Sequence, residues 1–180
     1  MRVIGLAGWS GAGKTTLVAR LILELNRRGY SVSTLKHAHH EFDVDRPGKD
    51  SFEHRAAGAQ EVLVSSARRL ALMRELRGVA EPSLADLLRM LAPVDIVLVE
   101  GFKRAAHAKI EVHRGVVGKP LLHPDDPNIV AVVSDGEFPQ SDLPQAHVDE
   151  IGAVADLVLL CAERIEIALE RLGRSQSPQT

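Results

Sequence analysis

The stretch GWSGAGKT, Gly8 to Thr15, limits the folds open to this chain more than any other feature. An apolar run of strand length, RVIGLA, precedes it, and a helical pattern with leucines at every fourth position follows it, from about Lys14 to Arg28. A glycine-rich turn between a strand and an amphipathic helix can point successive backbone N–H groups at one phosphate. The spacing Gly-x4-Gly-Lys-Ser/Thr is that of the phosphate loop of nucleoside triphosphate-binding proteins.

Each fixed position of this loop has a chemical reason. Glycine lets the backbone wrap closely around an anion. The Lys14 ammonium can reach the β- and γ-phosphates, and the Thr15 hydroxyl can ligate Mg²⁺. The predicted nucleotide contacts are therefore those of the loop and the first helical turn, namely Ser10, Gly11, Ala12, Gly13, Lys14, Thr15 and Thr16.

Apolar runs of strand length alternate with helical patterns along the rest of the chain, which predicts an α/β protein. The expected fold has three layers, with a mostly parallel central sheet flanked by helices. Further strands are predicted over SVSTLK, EVLVSS, RRLALM, DIVLVE, KIEVHR and NIVAVVSD. Helices are predicted over SFEHRAAGA, with Asp50 as its N-cap, over SLADLLRML, with Ser83 as its N-cap, and from about Glu150 to Leu172. We expect one domain over residues 1–172 and a disordered tail over 173–180.

Composition excludes several kinds of partner. A formal net charge of −2 and an aromatic content of 3% argue against nucleic acid as a partner. No apolar run approaches the roughly 20 residues that a membrane span needs, so we expect no membrane insertion. The single cysteine, Cys161, cannot form an intramolecular disulfide and fits a cytoplasmic protein.

The run DIVLVEGFK predicts the second part of a nucleotide site. Glu100 would end a central parallel strand, at the edge where open α/β sheets bind ligands. A carboxylate there can position magnesium beside Thr15, directly or through water, and Lys14 and Glu100 are the predicted catalytic pair. Gly101 would let the backbone approach the terminal phosphate, and Lys103 is a candidate for a further charge contact. The alternative is a solvated glutamate at a strand end.

Asp135 ends the run NIVAVVSD and is the candidate for reading the base. A carboxylate can accept hydrogen bonds from N1–H and the N2 amino group of guanine, whereas adenine offers no such pair of donors. Only the acid of the Asn/Thr-Lys-x-Asp motif of other GTPases is present here. The alternative is a turn-forming aspartate before Gly136.

The stretch KHAHHEFDVDRPGKDS, Lys36 to Ser51, allows three interpretations. Its histidines and acids could bind a metal, or the loop could simply be polar and solvated. It could also sense the γ-phosphate, because it leaves the carboxyl end of the strand after the phosphate-loop helix. The acids Glu41, Asp43 and Asp45 would repel a triphosphate unless magnesium or lysines intervene, which favours a loop with two arrangements.

Together, GWSGAGKTT, KHAHHEFDVDRPGKDS with AAGA, and IVLVEGFK resemble the MobB family, the molybdopterin-guanine dinucleotide biosynthesis protein B family. The resemblance covers about residues 1–170. It implies a homodimeric GTP-binding protein with slow, Mg²⁺-dependent hydrolysis that assists a MobA-type nucleotidyltransferase in joining GMP to molybdopterin. It also implies that the loop from His37 to Ser51 faces the nucleotide or a bound molybdopterin. The contacts would come from His37, His39, Asp43, Asp45, Lys49 and Asp50. Asp50 would also help to hold magnesium.

Two other functions share the phosphate loop. A small-molecule kinase using ATP would need a lid rich in arginines, which could be drawn from Arg68, Arg69, Arg74 and Arg77. A GTPase metallochaperone for nickel or zinc would use His37, His39 and His40 as its metal site. Base preference separates the kinase from the MobB interpretation, and metal binding separates the metallochaperone from it.

Overall fold

The computed structural model describes residues 1–38, 42–136 and 141–175. Its elements in chain order are β1 (Arg2–Ala7), α1 (Lys14–Arg27), β2 (Val32–Lys36), α2 (Asp50–Ala56), β3 (Glu61–Ser65), β4 (Leu70–Arg74), α3 (Leu84–Met90), β5 (Ile96–Glu100), β6 (Lys109–His113), β7 (Ile129–Ser134), β8 (Gln145–His147), α4 (Ile151–Cys161), β9 (Glu163–Arg164) and α5 (Ile165–Ser175). The chain forms two compact units, Met1–His37 with Ser83–Thr180, and Ala38–Pro82. A single domain over 1–172 stays a proposal.

The first unit is built on a sheet in the order β2-β5-β1-β6-β7-β8, in which all these strands are parallel. The short β9 joins it antiparallel to β1. Because parallel strands run in one direction, the carboxyl ends of β2, β5, β1, β6 and β7 lie along one edge. The predicted α/β class with a mostly parallel sheet is confirmed.

Helices cover both faces of this sheet, which gives three layers. On one face, Leu17, Leu21 and Leu25 of α1 pack with α4 against Ile96 and Leu98 of β5. On the other face, α3 and α5 pack against the alternate residues of the same strand, Val97 and Val99. Side chains of successive strand residues point to opposite faces, so a strand that is apolar throughout needs both cores.

Two helix boundaries follow directly from the sequence. Ser83 caps α3 as predicted: its hydroxyl accepts a hydrogen bond from Asp86 N–H, and the Asp86 carboxylate accepts one from Ser83 N–H. α1 begins at Lys14, after Gly13 in the left-handed region, and ends at Arg27. Asp50, in contrast, is the first residue of α2 and not its N-cap, a position that Lys49 takes.

The single long helix predicted over 150–172 is wrong. The chain leaves α4 at Cys161, and Glu163 pairs with Val3 of β1 before α5 begins at Ile165. Glu163 and Arg164 therefore pair with the sheet, and Ala162 is the C-cap of α4. Residues 173–175 of the expected tail belong to α5, and residues 176–180 lie outside the described part of the chain.

The second unit contains α2 and a separate antiparallel sheet of β3 and β4. Val62 pairs with Met73, and Leu63 pairs with Leu72. Val62 is buried, whereas Leu63, Leu70 and Leu72 are exposed. The strands predicted over EVLVSS and RRLALM are thus present, but outside the parallel sheet. Within the described residues of the whole chain, no helix has the length and apolar character needed to cross a membrane.

Candidate functional site

The phosphate loop leaves β1 at Ala7 and enters α1 at Lys14. Gly8, Gly11 and Gly13 have φ angles of 151°, 83° and 83°, which L-residues with a side chain rarely adopt. At Gly8 space is limiting as well, because a Cβ atom there would meet the carbonyl oxygen of Val112 on the neighbouring β6. The glycines of the motif are therefore required by the backbone path that the chain takes here.

Lys14 is folded into the loop that precedes it. Its ammonium donates hydrogen bonds to the carbonyl oxygens of Gly8, at 3.0 Å, and Trp9, at 2.9 Å. Burial lowers the pKa of Lys14 from its ordinary value, the charge of Lys103 lowers it further, and Glu100 acts in the opposite direction. An anion in the loop would favour the charged form of Lys14.

Glu100 and Thr15 lie together, although 85 positions separate them in the chain. The Thr15 hydroxyl donates a hydrogen bond of 2.9 Å to Glu100 Oε1, and Lys36 Nζ lies 3.8 Å from Oε2. Neighbouring ligands of an octahedral Mg²⁺, each at about 2.1 Å, are about 3 Å apart. The hydroxyl and the carboxylate are thus close enough for both to ligate one Mg²⁺ in place of their hydrogen bond.

Gly101 follows Glu100 with a φ angle of 115°. A Cβ atom there would lie 2.7 Å from Cβ of His37 and 3.2 Å from its backbone nitrogen and oxygen. The His37 N–H donates to the carbonyl oxygen of Glu100 at 2.9 Å, and its ring packs on Phe102. The glycine is therefore needed for the close approach of β2 to the end of β5.

Asp135 lies just beyond β7, at the same sheet edge as the phosphate loop. Its Oδ1 accepts a hydrogen bond of 2.8 Å from Gly115 N–H, and this bond holds the pKa of the carboxyl below its usual range. Arg114 Nη1 lies 3.9 Å from the other oxygen, Oδ2. The side chain of Asp135 is 30% exposed, so it is a charged acceptor that a ligand can reach.

The ring of Trp9, in the phosphate loop, contacts two lysine ammonium groups. Its indole N–H donates to the carbonyl oxygen of Pro120 at 2.8 Å. The ammonium groups of Lys103 and Lys119 lie 5.5 and 5.9 Å from the ring centroid, within cation–π range. Lys103, the candidate for a further charge contact, is thus joined by Lys119, and both raise the positive potential beside the loop.

The predicted ligand loop belongs mostly to the second unit, where an unpredicted arginine organises it. Arg55 donates hydrogen bonds to Asp43 at 2.8 and 3.2 Å, to Asp45 at 3.3 Å and to Glu75 at 2.7 Å. The hydrogen bond from Arg55 lowers the pKa of Asp43. Asp43 and Asp45 therefore share one counter-charge with Glu75 in their own unit, which offsets only part of their charge, so their repulsion of a triphosphate stays a prediction.

Lys49 and Asp50 line a groove of about 590 Å³ in the second unit, together with Ser51, His54 and the residues of β3. Asp43 and Arg55 line another, of about 840 Å³. Both volumes suit a small-molecule ligand. The magnesium role of Asp50 stays a prediction, as do the ligand contacts of all these residues.

Three residues of the predicted ligand loop, His39, His40 and Glu41, lie outside the described residues. His37 lies at the end of β2, against Phe102. Within the ranges that the structure describes, no group of three His, Cys, Asp or Glu side chains could hold a metal ion. A nickel or zinc site at His39 and His40 is therefore untested by the structure.

Sequence reasoning missed Arg114, Lys119 and Arg55. Arg114 follows β6 as Asp135 follows β7, so the rule that ligands bind at the carboxyl ends of parallel strands would have found it. Neither Lys119 nor Arg55 has such a signal in the sequence. The position of Lys119 at Trp9 depends on the path of the loop after β6, and the ion pairs of Arg55 depend on helix α2 lying beside Asp43 and Asp45.

Comparison with known proteins finds one family over most of the chain. The sequence model of molybdopterin guanine dinucleotide synthesis protein B (MobB) matches residues 3–135. The molybdopterin-guanine dinucleotide biosynthesis adapter protein of Escherichia coli K12 is 39% identical over 160 residues, which are 87% of this chain and 91% of that protein. The adapter protein of the same name from Haemophilus influenzae is 36% identical over 159 residues, 87% of this chain and 86% of its own.

Solved structures agree with the sequence relatives. A crystal structure of molybdopterin-guanine biosynthesis protein B superposes with a TM-score of 0.67 at 29% identity, over 88% of this chain and 97% of that one. The crystal structure of Bacillus subtilis MobB gives the same TM-score at 25% identity, over 89% of this chain and 97% of its own. The likeness therefore extends beyond the phosphate loop to most of the chain.

Replacing Gly101 by alanine tests the close approach at the end of β5. We expect Gly101→Ala to lower the free energy of unfolding by about 2 to 3 kcal/mol, because the new methyl group meets His37 in a left-handed backbone. Gly118→Ala is the matched control: its φ angle is 62°, but nothing lies within 4 Å of the added Cβ atom. It should cost only about 1 kcal/mol. Urea unfolding measures both, and equal losses would contradict the steric argument.

Proposed function

The chain belongs to the MobB family, and from this premise we infer that it is a phosphate-loop adapter in molybdopterin-guanine dinucleotide biosynthesis that binds GTP with Mg²⁺. The observation that carries this proposal is the Thr15–Glu100 pair, which lies beside the phosphate loop and on the same sheet edge as Asp135. The relatives are named adapter proteins, which favours this function over a small-molecule kinase and over a metallochaperone.

Guanine recognition is proposed for Asp135. A carboxylate at this edge can accept both donors on the Watson–Crick side of guanine, and adenine would leave it partly unpaired. Gly115 N–H already donates to Oδ1 and keeps the side chain in place. This preorganisation supports a preference for GTP over ATP, because no rearrangement of the acid is needed on binding.

The residues around the phosphates mainly bind and neutralise charge. We propose that Lys14 exchanges its hydrogen bonds to the Gly8 and Trp9 carbonyl oxygens for phosphate oxygens. Thr15 and Glu100 would hold Mg²⁺, which, when bound, neutralises charge on the β- and γ-phosphates. No general base is assigned to this set, so the expected GTPase activity is weak, and a partner could supply the missing group.

The proposed partner is a MobA-type nucleotidyltransferase, which the chain would assist in attaching GMP to molybdopterin. The two grooves that Asp43, Lys49 and Asp50 line support a contact with molybdopterin itself. As part of the same proposal, we expect the protein to act in the cytoplasm.

We also propose a homodimer. Leu63, Leu70 and Leu72 share one face of the β3–β4 sheet, because Leu63 pairs with Leu72 and Ser65 pairs with Leu70. They are 60%, 65% and 44% exposed, and α2 packs on β3, whose Val62 is buried on the opposite face. Adjacent exposed leucines on one face of a sheet are typical of a surface that a second copy covers.

The first prediction from the proposed function concerns the base. In competition against a fluorescent GDP analogue with Mg²⁺, GTP should displace the analogue at least about 100-fold better than ATP. Asp135→Ala should lose most of this preference, because the acceptor of the two guanine donors is gone. Asp142→Ala removes an exposed acid from the loop after β7 and is the control. Equal competition by ATP in the wild-type protein would leave the GTP proposal without its chemical basis.

A second prediction concerns magnesium. Glu100→Gln keeps an oxygen for the Thr15 hydroxyl but removes the charge, so GTP binding should need about 10- to 100-fold more Mg²⁺. Affinity measured in EDTA should change little. Glu166→Gln, an exposed glutamate on α5, controls for net charge. The proposed site would be refuted by an unchanged magnesium titration of Glu100→Gln.

A third prediction concerns assembly. The double variant Leu63→Glu/Leu72→Glu should convert a dimer, twice 19.6 kDa, into a monomer of 19.6 kDa in sedimentation equilibrium, because two charges per copy would face each other. Leu23→Glu, at a 72% exposed leucine of α1, serves as control. A dimer that survives the double variant would show that this face is not the interface.

A further inference from the structure

Arg114 lies between the phosphate loop and the acid that we propose reads guanine. It follows β6, which pairs with β1 on one side and β7 on the other. An added Cβ atom on Gly13 would lie 3.9 Å from its Nε and Nη2 atoms. Its Nη1 atom lies 3.9 Å from Asp135 Oδ2. The guanidinium therefore spans the gap between the groups proposed for the phosphates and for the base edge.

The contact between Arg114 and Asp135 is an electrostatic one, since 3.9 Å is longer than a hydrogen bond. Asp135 is held by Gly115 N–H at 2.8 Å, so the acid keeps its position when the arginine turns. The Arg114 side chain is 32% exposed, which lets a ligand reach it without unfolding its surroundings. A turn of the guanidinium toward a ligand breaks no hydrogen bond to Asp135.

We propose that Arg114 is the stacking platform for the purine ring of the bound nucleotide. A bound nucleoside triphosphate has its phosphates in the loop and its base edge at Asp135, so the ring must cross the space beside Arg114. The guanidinium is flat, delocalised and weakly hydrated, and it stacks on aromatic faces. Asp135 then selects guanine by its edge, while Arg114 binds the face that all purines share.

This inference rests on the proposed nucleotide site, but the two make separate predictions. A stacking residue contributes to affinity for every purine nucleotide and hardly affects which purine is chosen. If Arg114 were a phosphate ligand, it would contribute equally to the affinity for a triphosphate that has no base. A residue that only positions Asp135 would reduce the preference for guanine when it is removed.

The experiment measures dissociation constants of GTP, ITP and inorganic triphosphate with Mg²⁺. Arg114→Ala should weaken GTP and ITP alike, by about tenfold or more, and leave inorganic triphosphate unchanged. Arg114→Lys keeps the charge but not the flat group, and should recover only part of the loss. Arg89→Ala, an arginine of α3 that pairs with Asp86, is the control for lost charge. Thermal unfolding checks that each variant is folded, and Arg114→Lys carries the test if the alanine variant is not.

Three outcomes would overturn the proposal. Unchanged GTP affinity in Arg114→Ala would exclude a contact with the nucleotide. An equal loss for inorganic triphosphate would make Arg114 a phosphate ligand. A lost preference for GTP over ITP would make it a positioning residue for Asp135. If the wild-type protein binds ATP as well as GTP, guanine selection by Asp135 fails, yet the same comparison made with ATP still tests the stack.

Discussion

The parallel pairing of β1 with β5 and β6 is the constraint on which the candidate site depends. Leu6 of β1 lies opposite Glu100, and Lys36 of β2 lies opposite the same glutamate on its other side. In a parallel sheet this register also fixes where each strand ends. The acid beside Thr15, the turn at Gly8, Arg114 and Asp135 therefore reach one edge without any side chain having to span a long gap.

Two buried charged residues of β6, Lys109 and Glu111, stabilise the loops at this edge of the sheet. Lys109, 2% exposed, pairs with Asp126 at 2.6 Å and donates to the carbonyl oxygens of Lys103 and Ala105. Glu111, fully buried, accepts hydrogen bonds from the backbone of Leu122 and His123. A buried charge without partners is costly, so these contacts fasten the segments that carry Lys103, Lys119 and Pro120. Trp9 then joins the phosphate loop to the same segment through its bond to Pro120.

Local signals predicted the parts of the fold that local physics decides. The strand, glycine turn and leucine-lined helix from Arg2 to Arg27 were predictable because periodicity and loop chemistry agree there. The interruption between α4 and α5 was not. The helical pattern runs on through it, and the chain turns because Glu163 pairs with β1 and its carboxylate accepts a hydrogen bond from Ala108 N–H. Those partners, Val3 and Ala108, are distant from Glu163 in sequence, so no window of neighbouring residues contains the cause.

The ion pairs of Arg55 with Asp43 and Asp45 bear on how the region after β2 could respond to nucleotide. Arg55 offsets one of the three negative charges of Asp43, Asp45 and Glu75, so repulsion between these acids and a triphosphate is weakened but not removed. The connectivity of the chain offers a second route. Residues 38–82 join the first unit covalently at His37 and at Ser83. The His37 N–H donates a hydrogen bond to the carbonyl oxygen of Glu100. There is room for this contact because Gly101 has no side chain. On the proposed magnesium role of Glu100, a change at its carboxylate would act on His37 through this backbone contact, which gives a route to the region after β2 besides the acids of the loop.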